Sequence, residues 1–237
     1  MNYFFKSLWA IFAKDIVTEF RSRQVLPTMI VLGMLIVWVM RIVSEAASLN
    51  TSMMGPAVLW IAFLFSGLLA QERSFSTEEQ EDCISGLLLA PVDPGTIYIA
   101  KLLVNIVMLC VFEAVVVPMV FLTFELDIGG RWIEFLGVLL LGNIGISSVG
   151  TLFSAMVQLS RIRGALLSIL VLVVLMPMMI PAIFALLFLF GVIPEEVAGT
   201  GFLALAGSLK AAVGYMIAFD VVFTAACWML FGFVVRE

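Results

Sequence analysis

The sequence predicts an all-α protein that crosses a membrane several times. Of its 237 residues, 63% are hydrophobic and only 12% are charged, and the mean hydropathy is +1.20. A soluble domain averages about 25% charged residues, so a chain with half that share cannot cover a globule with polar surface. Because a spanning helix needs roughly 20 mainly apolar residues, we expect a single transmembrane domain over residues 1–237.

The same composition argues against several other classes of protein. A net charge of −5 disfavours nucleic-acid binding, and the hydrophobic content is far above that of a disordered chain. The chain has no histidine, and its three cysteines form no CxxC pair. Neither a metal site nor a disulfide framework is therefore predicted, and we expect no catalytic residue.

Six apolar segments are predicted to cross the membrane, at about 25–43, 54–70, 97–124, 132–157, 165–190 and 211–234. Residues 1–24 precede them and carry apolar side chains at helical spacing, with basic residues away from that face. This pattern predicts an amphipathic helix that lies in the membrane interface. The alternative is a core helix of a soluble protein, which shows the same spacing.

Two kinds of residue inside the predicted spans carry further information. Small residues let helix backbones approach closely, and in the fourth span they include Gly142, Gly145 and Gly150. An ionisable residue inside a span is a functional hypothesis, and Glu113 and Asp220 are such residues. They could form a proton or ion path. The alternative is that each acid faces the bundle interior as a hydrogen-bonded group. No basic residue inside a span is available to pair with either acid, because Lys101 and Lys210 are placed at span ends.

The longest polar stretch, residues 71–96, lies between the second and third predicted spans. Ser76 begins a capping box, and the acidic residues after it suit a helix N-terminus. An apolar stripe at i, i+3 and i+4 follows, formed by Ile84, Leu87 and Leu88. We expect a short helix that begins near Ser76 and docks on a partner protein. The alternative is a loop helix resting on lipid, where the acidic residues would be poorly placed near anionic headgroups.

Short motifs follow one another in this polar stretch and in the spans after it. They are Gln71-Glu72-Arg73-Ser74-Phe75, Gly86-Leu87-Leu88-Leu89-Ala90-Pro91, Gly150-Thr151-Leu152-Phe153-Ser154-Ala155 and Arg163-Gly164-Ala165-Leu166-Leu167. In this order and spacing they resemble the ABC-2-type exporter permeases, and within that group the CcmB family of the cytochrome c maturation system. The resemblance implies a type V exporter-like permease fold.

The resemblance also assigns a role to the polar stretch. It would be the coupling helix that seats in a separate, CcmA-like ATPase, with Glu72 and Arg73 at its base and Ile84, Leu87 and Leu88 in the groove. Because the chain has no GxxxxGKS/T loop, ATP hydrolysis is expected in that partner, and the chain itself is not expected to be an enzyme. Each ATPase needs one coupling helix, so a homodimer is expected.

The function that the resemblance implies is haem export, or ATP-driven release of a haem-loaded chaperone, in the bacterial inner membrane. Haem would be a transported or relayed species, and no cofactor is expected to bind this subunit directly. The expected partners are the ATPase, a second copy of the chain, CcmC- and CcmD-like haem-handling subunits and membrane lipid, without nucleic acid. The alternatives are an ABC permease for a lipid, polysaccharide or drug, and a stand-alone secondary transporter or membrane enzyme that uses Glu113 and Asp220.

The distribution of basic residues predicts that both termini lie in the cytoplasm, because Lys and Arg are enriched in cytoplasmic loops. That orientation puts nine basic residues inside and three outside. The nine are Lys6, Lys14, Arg21, Arg23, Arg73, Lys101, Arg161, Arg163 and Arg236, and the three are Arg41, Arg131 and Lys210. A reporter active only in the cytoplasm should therefore work when fused after Glu237 and fail when inserted at Ile128–Gly130. The reverse pattern would contradict the orientation.

Overall fold

The structure, a computed structural model, describes residues 2–22, 24–80, 93–159, 164–193 and 207–234. Over these ranges the chain forms seven α-helices and no strand. The helices are α1 (Asn2–Ser22), α2 (Val25–Ala46), α3 (Thr51–Gln80), α4 (Pro94–Phe124), α5 (Trp132–Leu159), α6 (Gly164–Leu189) and α7 (Leu209–Val234).

Helices α2 to α7 are each long and apolar enough to cross a membrane, whereas α1 is not one of these six. The predicted all-α class with six spans is therefore confirmed. The spans alternate in direction along the chain, so their ends fall into two groups. We call the end at which α2, α4 and α6 begin the near end, and the opposite end the far end. The three basic residues predicted to lie outside, Arg41, Arg131 and Lys210, all belong to the far end.

Helix α3 is longer than the second predicted span. It continues without interruption through Ser76 to Gln80, so the prediction that a separate helix begins near Ser76 is wrong. The residues from 71 to 80 include no proline and no glycine, and glutamate and glutamine are good helix formers. Nothing in this stretch ends the helix, and the capping pattern therefore has no free helix terminus to cap.

Helix α5 lies at the centre of the bundle. It packs against α3, α4, α6 and α7, while α2 packs against α3 and α4. Glycines on α5 permit these close approaches. A Cβ atom at Gly142 would collide with the ring of Trp60 on α3. A Cβ atom at Gly150 would overlap the side-chain amide of Gln71, which is also on α3. Gly145 lies in the same way against side chains of α6 and α7.

Aromatic rings fill the space between α2, α3 and α4. The rings of Trp60, Phe63 and Phe112 are fully buried, and they meet edge to face with centroid distances of 5.8 Å and 5.7 Å. Gly33 on α2 faces the Phe112 ring, and a Cβ atom there would lie only 2.8 Å from it. Edge-to-face contact of this kind adds about 0.5–1.5 kcal/mol to the burial of each ring pair.

Helix α1 packs along the first turns of α4. Asp15 on α1 and Lys101 on α4 form an ion pair of 3.0 Å, with side-chain exposures of 7% and 3%. Lys101, which the sequence placed at a span end, is therefore buried in an ion pair. The apolar residues Phe5, Trp9 and Phe20 of α1 are exposed, which leaves an apolar face free for contact with lipid and fits the predicted interfacial helix.

Contacts between side chains and backbone hold the far end together. The Arg41 guanidinium, near the end of α2, donates to the Thr123 carbonyl near the end of α4 over 2.8 Å, and it also binds the Glu45 carboxylate at 2.7 Å. The turn between α4 and α5 uses Gly129 and Gly130, whose φ angles of 60° and 86° suit glycine.

The contact between Gly142 and Trp60 gives a test of the packing. We expect Gly142→Leu to destabilise the bundle by about 1–3 kcal/mol or more, because the added side chain must displace a buried ring. Gly137→Leu, on the same helix but with open space around its Cβ position, should leave stability near that of the unmodified protein. Thermal unfolding in detergent measures both variants, and an equal loss for the two would contradict the proposed packing.

Candidate functional site in the membrane-spanning bundle

Three polar residues form a layer in the middle of the bundle. Each lies eleven residues from the far-end terminus of its helix: Glu113 from Phe124, Asn143 from Trp132, and Asp220 from Leu209. At 1.5 Å per residue this is about 16 Å along the helix axes, so with the far-end termini at the edge of a hydrocarbon core about 30 Å thick the layer lies near its centre. Glu113, Asn143 and Asp220 are 8%, 0% and 5% exposed. The layer therefore lies where polar groups are most expensive to bury.

Glu113 on α4 is paired with Asn143 on α5. The Asn143 amide donates to Glu113 Oε2 over 3.0 Å and also contacts the Cys110 sulfur at 3.6 Å. The remaining oxygens of the pair, Glu113 Oε1 and Asn143 Oδ1, have no hydrogen-bond partner among the described residues. A cavity of about 440 Å³ adjoins the pair, and the rings of Trp132 and Phe135 also line it. The pair thus keeps free acceptors next to an open space.

Asp220 on α7 lies on the other side of α5. Its Oδ1 would be 2.8 Å from a Cβ atom at Gly145, so the carboxyl group lies directly over that glycine. Neither oxygen of Asp220 has a hydrogen-bond partner within the described ranges. Helix α5 therefore separates two acidic side chains, one bonded to Asn143 and one unbonded.

A second group of polar contacts binds α5 to its neighbours nearer the other end of the helix. The side-chain Nε2 of Gln71 on α3 donates to the Ile146 backbone carbonyl over 3.0 Å. In return, Ser154 Oγ on α5 donates to the backbone carbonyl of Gln71 over 2.6 Å. Asn105 Nδ2 on α4 donates to Thr151 Oγ1 over 2.9 Å. In hydrocarbon each such bond replaces an otherwise unsatisfied group, and these contacts therefore fix the register of α3 and α4 on α5.

The predicted docking residues are placed only in part. Glu72 and Arg73 belong to the helical backbone of α3, but their side chains are outside what the structure describes. Ile84, Leu87 and Leu88 lie in residues 81–92, which are outside the described ranges. Their docking role remains a prediction.

Sequence reasoning did not single out Asn143 or Asn105, and it predicted neither the hydrogen bonds of Gln71 nor the pairing of Asp15 with Lys101. Helix α5 did carry a signal, because Asn143, Ser147, Thr151 and Ser154 recur at spacings of four, four and three residues. That spacing puts them on one side of a helix, and it could have identified a polar face. Asp15 and Lys101 are 86 positions apart in sequence, and no local pattern links them.

The fold and the polar layer define a multi-pass α-helical membrane protein that buries two acidic side chains and one amide inside its bundle. Among the described residues, no group of three cysteine, aspartate or glutamate side chains could hold a metal ion. The bundle therefore places polar groups at mid-membrane depth without forming a metal site in its described part.

The chain belongs to the CcmB family, because the sequence model of that family, described as CcmB protein, matches residues 6–227. This family consists of permease subunits of transporters, and membership implies a role in ABC-type haem export. The six helices able to span a membrane fit that role. A comparison with curated proteins found no match.

The bond between Asn143 and Glu113 predicts a distinct pattern of stabilities. We expect Asn143→Leu to cost about 1–3 kcal/mol, because it leaves the buried carboxyl group without its donor. The double variant Asn143→Leu with Glu113→Leu should lose less than the sum of the two single changes, since it removes both partners. Thermal unfolding of the four proteins in detergent measures the difference, and strict additivity would show that the bond contributes nothing.

Proposed function

We propose that this chain is the membrane permease subunit of an ABC-type complex in cytochrome c maturation. Its spans would couple ATP hydrolysis in a separate ATPase to haem export or to the release of a haem-loaded chaperone. The family match over residues 6–227 carries this proposal, and the six candidate spans support it. The same match makes a permease for a lipid, polysaccharide or drug the weaker alternative.

The near end of the bundle is the proposed site of ATPase docking. On the proposed orientation this end faces the cytoplasm of a cell whose inner membrane holds the protein. Residues 81–92 connect the end of α3 to the start of α4 there. Helix α4 is attached to α1 through the buried pair of Asp15 and Lys101, so a force applied to that segment would act on α1 and α4 together.

Haem would be handled as a substrate in this proposal. The chain has no histidine, so this subunit cannot supply the histidine that commonly ligates haem iron. CcmC- and CcmD-like subunits and a CcmE-like chaperone are the proposed partners for that chemistry. We further propose a second copy of the permease, which would give each of two ATPase subunits its own docking segment.

Glu113 and Asp220 are the proposed residues of any proton or ion movement through the bundle. Glu113→Gln keeps an acceptor for Asn143, so the protein should remain folded. Cytochrome c maturation that is retained in this variant would assign Glu113 a structural role, whereas its loss in a folded protein would support a role of the acid in transport.

The docking proposal predicts that Leu87→Glu or Leu88→Glu abolishes co-purification of a CcmA-like ATPase. An apolar anchor buried in a groove typically loses about 2 kcal/mol or more when it is replaced by a charge. The measurement is a pull-down of the ATPase from membranes, normalised to the amount of permease inserted. The mass of the purified complex also gives the number of permease copies for each pair of ATPases.

The matched control for that experiment is Glu78→Gln combined with Glu79→Gln. These changes remove charges at the rim of the proposed contact, where single charges contribute little to affinity, so ATPase recovery should stay near normal. If Leu87→Glu still recovers a full complement of ATPase, the docking element lies elsewhere, and the loop Gln158–Gly164 becomes the next candidate.

A further inference from the structure

A groove runs along the outside of the bundle between α5 and α7, with α4 at its base. It has a volume of about 710 Å³, and its walls are almost entirely apolar. Ile217, Val221 and Trp228 of α7 line the groove and are exposed on the surface of the described bundle. In a membrane this opening faces the hydrocarbon region, where either lipid or another transmembrane helix could enter it.

One strongly polar residue forms part of the wall of this apolar groove. Asp220 lines it and is only 5% exposed, and neither carboxyl oxygen has a hydrogen-bond partner in the described part of the chain. Thr224, one turn further along α7, also lines the groove with a hydroxyl group that has no described partner. Whether the acid is ionised or neutral, at least one oxygen remains an unsatisfied acceptor.

Lipid cannot satisfy this acceptor. At a depth of about 16 Å the surroundings are acyl chains, which carry no hydrogen-bond donor. The nearest basic side chain on α7 is Lys210, ten positions away at the far end of the helix. A protein donor from outside the chain would have to reach this depth on a segment that itself spans the membrane.

The exposed face of α7 beside the groove is suited to close helix contact. Gly214, Ala218 and Ala225 recur there at spacings of four and seven residues, and all three are exposed. Gly214 has open space around its Cβ position, and Ala225 lines the groove itself. Small residues four apart allow the backbone of a second helix to approach closely.

We propose that the groove between α5 and α7 binds a transmembrane helix of another membrane subunit, which presents a hydrogen-bond donor to Asp220. The donor is a side chain such as asparagine, glutamine, serine or lysine near the middle of that helix. The small residues of α7 admit its backbone, and the apolar walls bury its remaining side chains. The proposal is independent of the ATPase docking described above.

The test uses the full chain in phosphatidylcholine vesicles with a dye at its C-terminus. The probes are two dye-labelled, leucine-rich transmembrane peptides that differ at one central position, asparagine in one and leucine in the other. We expect energy transfer to show about tenfold tighter binding of the asparagine peptide. In Asp220→Leu this preference should disappear, whereas Asp220→Asn, which keeps an acceptor oxygen, should retain it.

A second pair of variants tests the groove independently of the acid. Ala225→Phe places a ring in the groove and should reduce binding of both peptides. Val31→Phe adds the same ring to an exposed position of α2, a helix that does not line the groove, and should leave binding unchanged. If Asp220→Leu fails to accumulate in membranes, this pair decides the question alone.

Three results would overturn the proposal. The first is equal affinity of the two peptides for the unmodified chain, which indicates that lipid fills the groove. The second is equal loss of binding in Ala225→Phe and Val31→Phe. The third is energy transfer between copies of the chain without any peptide, if Ala225→Phe abolishes that transfer. This result would make a second copy of the chain the occupant of the groove.

Discussion

Hydrocarbon offers no hydrogen bonds, and this constraint determines how the bundle is organised around α5. Glycines on α5 bring Trp60 and Gln71 of α3 against its backbone. At that short separation Gln71 reaches the Ile146 carbonyl and Ser154 reaches the Gln71 carbonyl. Small residues and polar contacts thus depend on each other, because the side chains can pair only where the backbones approach closely. The positions of α4, α6 and α7 follow from the same helix.

The six spans were predictable from the sequence because hydropathy is a local property that each segment carries by itself. The extent of α3 was not, since a capping pattern marks a helix start only when the preceding helix has ended, and here it has not. The polar layer was half predictable. Glu113 and Asp220 are conspicuous as acids in apolar segments, but the partner of Glu113, Asn143, is uncharged and comes from the next helix.

The three polar groups of the layer are not equivalent. Asn143 can serve as donor to Glu113 because both lie at the same depth on adjacent helices. Asp220 lies at that depth too, but the residue that faces it on α5 is Gly145, which has no side chain to offer. One acid thus has a donor within the chain, and the other, which has none among the described residues, lies buried in the wall of a groove.

The buried ion pair between α1 and α4 has a consequence for how the protein is made. Asp15 leaves the ribosome first, but Lys101 follows only after two complete spans have been synthesised and inserted. Until then Asp15 must stay in contact with water, because an isolated charge is costly to bury. The N-terminal helix can therefore settle into its final position only after α4 has entered the membrane. Helix α1 is thus synthesised before α4 but fixed in place after it.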